Sequence, residues 1–451
     1  VIASDRLHKP LWSTVRSSAH PLREGEISDY DPLMALVGDA RFVLLGEASH
    51  GTHEFYKERA QITKRLITEK GFNAVAVEAD FPDASRVNRF VRGTGDDVDA
   101  IDSLSGFKRF PAWMWRNADV LDFIGWLRAY NERPIQGQPK AGFYGLDLYS
   151  MHSSIEVVLA YLDKVDPEAA KRARERYACF DSYGGDSQRY GLETAMGQGY
   201  SCEDAVVGQF VELYSREAEL ARRDGRVAAD DYFIAEQNAR LVKNAEQYYR
   251  TMYRSDVSSW NLRDNHMVET LVELDKHLRK GGVQPKVVVW AHNSHLGDAR
   301  ATAMGRRGEW NVGQLVRQRF AGESVLIGFT THHGTVTASS DWGGPAERKR
   351  VRPGLTGSVE GVFHEAGLER FLVCLRVESE LKAALREPLL ERAIGVIYRP
   401  ESERLSHYFH SRISDQFDAV IHFDETRAVE PLERSSLWEA GEVPETFPSG
   451  V

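Results

Sequence analysis

Several familiar chemistries have no place in this sequence. It contains neither G-x-x-x-x-G-K-[ST] nor G-x-G-x-x-G, so nucleotide cradles lack support. It contains no G-x-S-x-G, so the strained turn that presents a hydrolase serine is missing. Cysteine is scarce: Cys179, Cys202 and Cys374 are the 3 present, with no C-x-x-C spacing. None falls in a loop after a strand-like run, which disfavours a thiol nucleophile. An odd, sparse count reads as a chain of a reducing compartment, here expected to be the cytoplasm, without a disulfide framework. Basic excess is lacking too. Lys plus Arg is 57 against 67 for Asp plus Glu, a net charge of -10, which argues against nucleic acid or an anionic membrane surface as partner. No apolar run approaches a membrane span, and no repeat or low-complexity tract occurs. Val1 to Arg23 is polar and mixed in charge, unlike a signal peptide.

What is present is organised around Val43-Leu44-Leu45-Gly46-Glu47-Ala48-Ser49-His50-Gly51-Thr52-His53. Arg41 to Leu45 has the length and composition of a buried strand, and Gly46 permits a sharp exit. Glu54 to Lys70 follows with a helical apolar stripe at Phe55, Ile62, Leu66 and Ile67, and stops at Gly71. Helix caps explain Thr52 and Glu54. They do not explain Glu47, His50 and His53 crowded into one loop. Asn73 to Val77 predicts a second strand delivering Glu78 and Asp80, which makes a βαβ unit and a parallel pair. Glu47, His50 and Glu78 then share one sheet edge, where open α/β sheets bind ligands.

The 451 residues suffice for one large core with an insertion. The expected fold is α/β, a central mostly parallel sheet flanked by helices, with a large all-helical insertion as a second lobe. Residues 1–150 form the first part of the core. Within them Phe107 to Trp115, with Trp113 at its centre, offers an apolar wall, and Gly142 to Leu146 is a strand delivering Asp147. Residues 151–282 read as helices interrupted by a Gly- and Tyr-rich loop from Asp181 to Ser201. Near their end Arg263 and His266 lie one turn apart and face the site in this reading. Residues 283–425 resume the core. Lys286 to Trp290 is a strand delivering His292 and His295, and Ser324 to Phe329 another, with Thr335 to Ala338 pairing as a hairpin. Asp341 to Pro353 reads as a basic loop, and Phe371 to Val377, Ile394 to Tyr398 and Ala419 to Phe423 as far strands of the same sheet. Residues 426–451 form a surface tail.

Two mechanisms suit this inventory. A histidine activates water directly, a carboxylate holding its tautomer; or histidines and carboxylates hold a divalent metal such as Zn that activates it. A non-enzymatic small-molecule or haem binder is the third reading, weakened by the number of strand-end carboxylates.

The blocks Leu45-Gly46-Glu47-Ala48-Ser49-His50-Gly51, Glu78 and Trp290-Ala291-His292-Asn293-Ser294-His295, in this order, resemble the erythromycin esterase family. The helical insertion after Asp147 and the run from His407 to Glu425 are similar as well. The resemblance implies water attack on the lactone ester of a macrolide without a covalent intermediate, and a family able to work without a metal, which favours the first mechanism and leaves the second open. It implies His50 as general base, Glu78 orienting or assisting it, and Glu47, Arg59, His292 and His295 as further polar site residues.

Overall fold

The computed structural model describes residues 9–133, 139–224 and 228–441. Their strands are β1 (His20–Pro21), β2 (Phe42–Leu45), β3 (Ala74–Asp80), β4 (Gly142–Asp147), β5 (Val287–Trp290), β6 (Ser324–Ala338), β7 (Glu347–Val351), β8 (Arg370–Cys374), β9 (Leu389–Arg392), β10 (Tyr408–Ser411) and β11 (Ala419–Thr426). Nine of them form one sheet in the order β1-β8-β11-β6-β2-β5-β3-β4, with β7 added to β6. The block from β11 through β4 is parallel throughout. The additions β1, β7 and β8 are antiparallel. The expected α/β fold with a mostly parallel central sheet is therefore the one observed.

Alternation along the strands sorts the core into two layers. Phe42, Leu44, Ala74, Ala76, Val287 and Val289 face one side, and Val43, Leu45, Val75, Val77, Val288 and Trp290 the other. Both faces are covered, which is why these strands read as near-continuous apolar runs. The helix His53–Lys70 buries Phe55, Ile62, Leu66 and Ile67 and ends at Gly71, whose φ of 72° lies in the left-handed region. Helices from Met151–Val165 to Asp256–Lys280 fill the interval between β4 and β5. Their apolar residues, among them Leu162, Tyr190, Leu241 and Leu271, continue the layer begun by Phe42 and Leu44 without a break. No described helix is long and apolar enough to cross a membrane.

Four expectations need correction. Ser324 to Ala338 is one long strand rather than a strand and a hairpin arm; its hairpin partner is Glu347–Val351, in a stretch whose charges look loop-like. Those charges belong to an edge strand, where Lys and Arg are tolerated. Ile394 to Tyr398 lies outside the sheet and reaches it through single bridges at Ser49 and Ser339. Asp181 to Ser201 contains the helix Ser187–Ala195, capped by Asp186. Cys179 and Cys202 form a disulfide, their Cα atoms 5.8 Å apart. The bond is local to the helical segment and closes a short loop. A sparse count therefore gave no ground here for a reducing compartment.

Candidate active site

The carboxyl ends of four adjacent strands, β2, β5, β3 and β4, deliver the polar residues. Two glycines let the loop after β2 lie close against its neighbours. A Cβ on Gly46 would collide with the Asn293 side chain, and one on Gly51 with the Thr337 backbone. Gly46 is thus required by close approach rather than by a sharp turn.

His50 is held from within its own loop. Its Nδ1 lies 2.9 Å from Glu47 Oε1, and Glu47 Oε2 lies 2.7 Å from Arg59 Nη2. Arg59, carried on the helix His53–Lys70, is fully buried and stacked between Tyr56 and Trp290 at 4.6 and 5.3 Å. Its position on a charged helix gave no sign of this. With Nδ1 committed to Glu47, Nε2 is the nitrogen of His50 left for chemistry.

Glu78 and Asp147 sit side by side and would repel each other. Arg263 lies between them, with Nη2 2.7 Å from Glu78, and Nε and Nη2 at 3.0 and 2.7 Å from Asp147. Burial alone would raise the Glu78 carboxyl; the charges of His295, His50 and Arg263 outweigh it and hold the group well below its ordinary value. Burial likewise opposes the ionisation of Asp147, and Arg263 outweighs burial and holds the carboxyl below its ordinary value. Glu78 also accepts the His292 backbone N–H at 2.9 Å. The carboxylate that holds His50 is Glu47, and Glu78 instead anchors the β5 loop.

His295 stacks on Trp260 at 4.4 Å, with Nδ1 2.8 Å from Asp264 and Nε2 3.3 Å from Glu78. Burial would lower it, but Asp264 and Glu78 raise it to about 9, so it is an imidazolium at neutral pH. Arg263 Nη1 is 3.1 Å from the same Nε2, two cations held together by the shared Glu78. His292 is the opposite case. Burial and the neighbouring His50 lower it to about 3. Its Nδ1 accepts the Ser294 N–H, so the neutral ring carries its proton on Nε2, which is buried and makes no well-formed hydrogen bond. Its ring centre is 4.8 Å from that of His50.

A cleft of about 150 Å³ opens at this edge. His50, Glu78, Asp147 and Arg263 border it on the polar side, and Phe107, Phe110, Met114, Trp115 and Trp342 on the other. The aromatic stretch does form a wall, but Trp113 turns inward and is not part of it. His266 faces away: its Nδ1 meets Asn244 at 2.9 Å, and burial lowers it to about 3. His266 stays one turn on from Arg263, but its ring is turned toward Asn244 rather than the cleft. His53 pairs with Asp119 at 2.8 Å, outside the cleft. Asp80 and Arg109, paired at 2.8 and 3.1 Å, border it; Asp80 was read only as a strand-end residue, and Arg109, Asp264 and Trp260 were given no role in the sequence. Asp80 had a signal, since it ends the strand that delivers Glu78. Arg109 had none.

The same contacts test whether the cluster suits a metal. Both oxygens of Glu78 and Asp147 and both nitrogens of His295 are already engaged, and a guanidinium fills the space among them. A divalent ion needs several such donors free and converging. His50 Nε2 is left at the cleft and His292 Nε2 makes no well-formed hydrogen bond; these two fall short of the three protein ligands that a catalytic zinc takes.

A tautomer-locked histidine beside a dry network of charges, opening on an apolar wall, is the equipment of a hydrolase, and the chain is an ester hydrolase. The sequence profile of erythromycin esterase matches residues 67–426, and the chain belongs to that family. Erythromycin esterase type II of Escherichia coli is 22% identical over 383 residues, 79% of this chain and 85% of the relative. Erythromycin esterase type I of Escherichia coli is 29% identical over 439 residues, 91% and 96% of the two chains. A Bacillus cereus protein of known crystal structure superposes with a TM-score of 0.77 at 20% identity, covering 94% of this chain and 98% of its own.

Proposed function

We propose that the chain opens the lactone of a macrolide-like ester by direct attack of water, with His50 as general base and no covalent intermediate. The observation that carries this reading is the relay Arg59–Glu47–His50, which holds one imidazole nitrogen at 2.9 Å and leaves the other at the cleft. In this reading Nε2 of His50 takes a proton from water as the oxygen adds to the ester carbonyl. The tetrahedral oxyanion forms within the field of Arg263 and His295, with the neutral His292 ring 4.8 Å from that of His50. Collapse expels the alkoxide, which takes the proton back from His50. For a cyclic ester the product is a single ring-opened hydroxy acid.

A second reading has an observation of its own. The cleft has room for a reacting ester group and a few waters, not for a whole macrocycle. The body of a macrolide would rest over the rim formed by Phe110 and Trp342, whose rings meet at 5.0 Å. A smaller carboxylic ester would fit within. The test is mass spectrometry of erythromycin, and of a panel of small esters and lactones, incubated with chelator-treated protein. Erythromycin gaining one water with the wild-type chain and not with His50→Ala supports the first reading. Turnover of small esters alone shifts the substrate to the second. Full turnover by His50→Ala removes His50 as the base.

A further inference from the structure

A second group of histidines lies midway along β6, beside β11, and the hydrolytic reading does not use it. His332 and His333 stand where the pairing of β6 passes from β11 to β7, Asp424 stands on β11, and His364 comes from the helix Val359–Glu365. The Nδ1 atoms of His332 and His333 are 3.0 Å apart. Donor atoms of His332, His333 and Asp424 all lie within 4.8 Å of one another. Nitrogens bound to one tetrahedral ion at 2.0–2.1 Å stand about 3.3 Å apart, close to the separation of the two imidazoles, and an Asp424 oxygen stands within 4.8 Å of both.

The surroundings brace this set as a metal site is braced. His364 Nδ1 lies 2.8 Å from Asp424 Oδ1, and its ring stacks on His332 at 3.8 Å. His422 is fully buried; its Nδ1 meets Thr330 at 2.9 Å, while its Nε2 makes no well-formed hydrogen bond and stands 3.5 Å from the same Asp424 oxygen. Outer histidines that fix a ligating carboxylate are the usual companions of such a centre. The buried Arg392 donates to the carbonyls of Thr331 and His332 at 2.7 and 2.8 Å, fixing the backbone beneath the pair. His333 and Asp424 are partly exposed, which gives an ion a way in.

We propose that His332, His333 and Asp424 bind one divalent first-row transition ion, preferentially Zn²⁺, outside the hydrolytic cleft. Imidazole nitrogen with one carboxylate suits zinc, and the partial exposure lets a water complete the shell. The ion ties β6 to β11, so its expected effect is on stability. Zinc found in this protein would then not identify a metallohydrolase.

The test uses the full chain, stripped with chelator and titrated calorimetrically with ZnCl₂. Wild type, His333→Gln, Asp424→Asn and His50→Ala are compared, with circular dichroism confirming each fold. Expected are one equivalent of zinc in wild type and His50→Ala with equal affinity, a loss of at least tenfold in His333→Gln and Asp424→Asn, and a zinc-dependent rise in melting temperature confined to the binding chains. No binding by wild type overturns the proposal, and is the result that a network of imidazole–carboxylate hydrogen bonds alone would give. A loss under tenfold in either site variant overturns it too. Loss in His50→Ala overturns it as well, and moves the ion to the cleft.

Discussion

Replacing Asp264 by asparagine tests the charge network at its most buried histidine. His295 is 2% exposed and is carried from an ordinary 6.5 to about 9, burial opposing and Asp264 and Glu78 prevailing. That displacement corresponds to on the order of 3 kcal/mol. A histidine whose folded pKa is raised stabilises fully below the unfolded value and loses that contribution as the pH climbs through the folded one. The window here runs from 6.5 to about 9. Burial raises the Asp264 carboxyl while His295 opposes it, so part of the gain is offset by the cost of an ionised buried carboxylate. The asparagine side chain keeps the shape and an acceptor for the Val312 N–H, which Asp264 now binds at 3.0 Å, but removes the charge. Urea unfolding should show Asp264→Asn less stable than wild type by at most about 3 kcal/mol near pH 6, since Glu78 keeps its share of the shift, the gap shrinking to about 1 kcal/mol near pH 10. Imidazole resonances should place the His295 titration well above 6.5 in wild type and lower in the variant. A gap independent of pH, or one that widens with pH, would refute the reasoning.

Glu47→Gln should lower kcat/KM about 10²–10⁴-fold by freeing the His50 tautomer, and should also destabilise by about 3 kcal/mol or more because Arg59 is left as an unpaired buried cation; ester turnover and a thermal melt read the two effects separately. The double variant Cys179→Ser, Cys202→Ser opens a loop of sequence separation 23, a loss of about 3 kcal/mol, with hydrolysis at permissive temperature unchanged because the bond is remote from the cleft. Trp342→Ala, at the exposed rim against Phe110, should raise KM several-fold with kcat within about twofold, since it removes contact area and no group that touches the reacting atoms.

The parts of the fold that were legible are those written in local pattern. The runs at Val43, Val75 and Val288 are strands because they are buried on both faces, and their polar followers share one edge because the strands are parallel. The helix after His53 ends where Gly71 permits it. Pairings across long separations were not legible. Nothing around Arg59 marks it as the partner of Glu47, and nothing around Asp264 marks it as the partner of His295, 31 residues on. The same limit applies to Trp113 and His266, which have the right residue type in the right segment and point elsewhere. Spacing fixes which helical turn a residue occupies, while its direction into or away from the cleft depends on how the helix is seated. The disulfide failed for a related reason: two cysteines suffice when a local loop brings them together, whatever the count in the whole chain.

Arg263 shows why the helical segment belongs to the site. β3 carries Glu78 near its end and β4 ends in Asp147, each raising the other's cost of ionisation within a buried edge. Neither strand, nor the loop after β2, supplies a cation that reaches both. Asp147 stays ionised because Asp256–Lys280 brings in Arg263, which lies 2.7 Å from each carboxylate and adds to what His295 and His50 do for Glu78. The same helix brings Asp264 to His295 and Trp260 to its ring face. Strand ends alone would therefore hold two carboxylates, one of them protonated, and a histidine with no counter-charge. An ionised Glu78 is what anchors the His292 backbone and pairs with His295. The geometry around His50 is thus a joint product of the sheet and of the helices between β4 and β5, and a chain lacking those helices would keep the strand-end motifs without the electrostatics that make them a site.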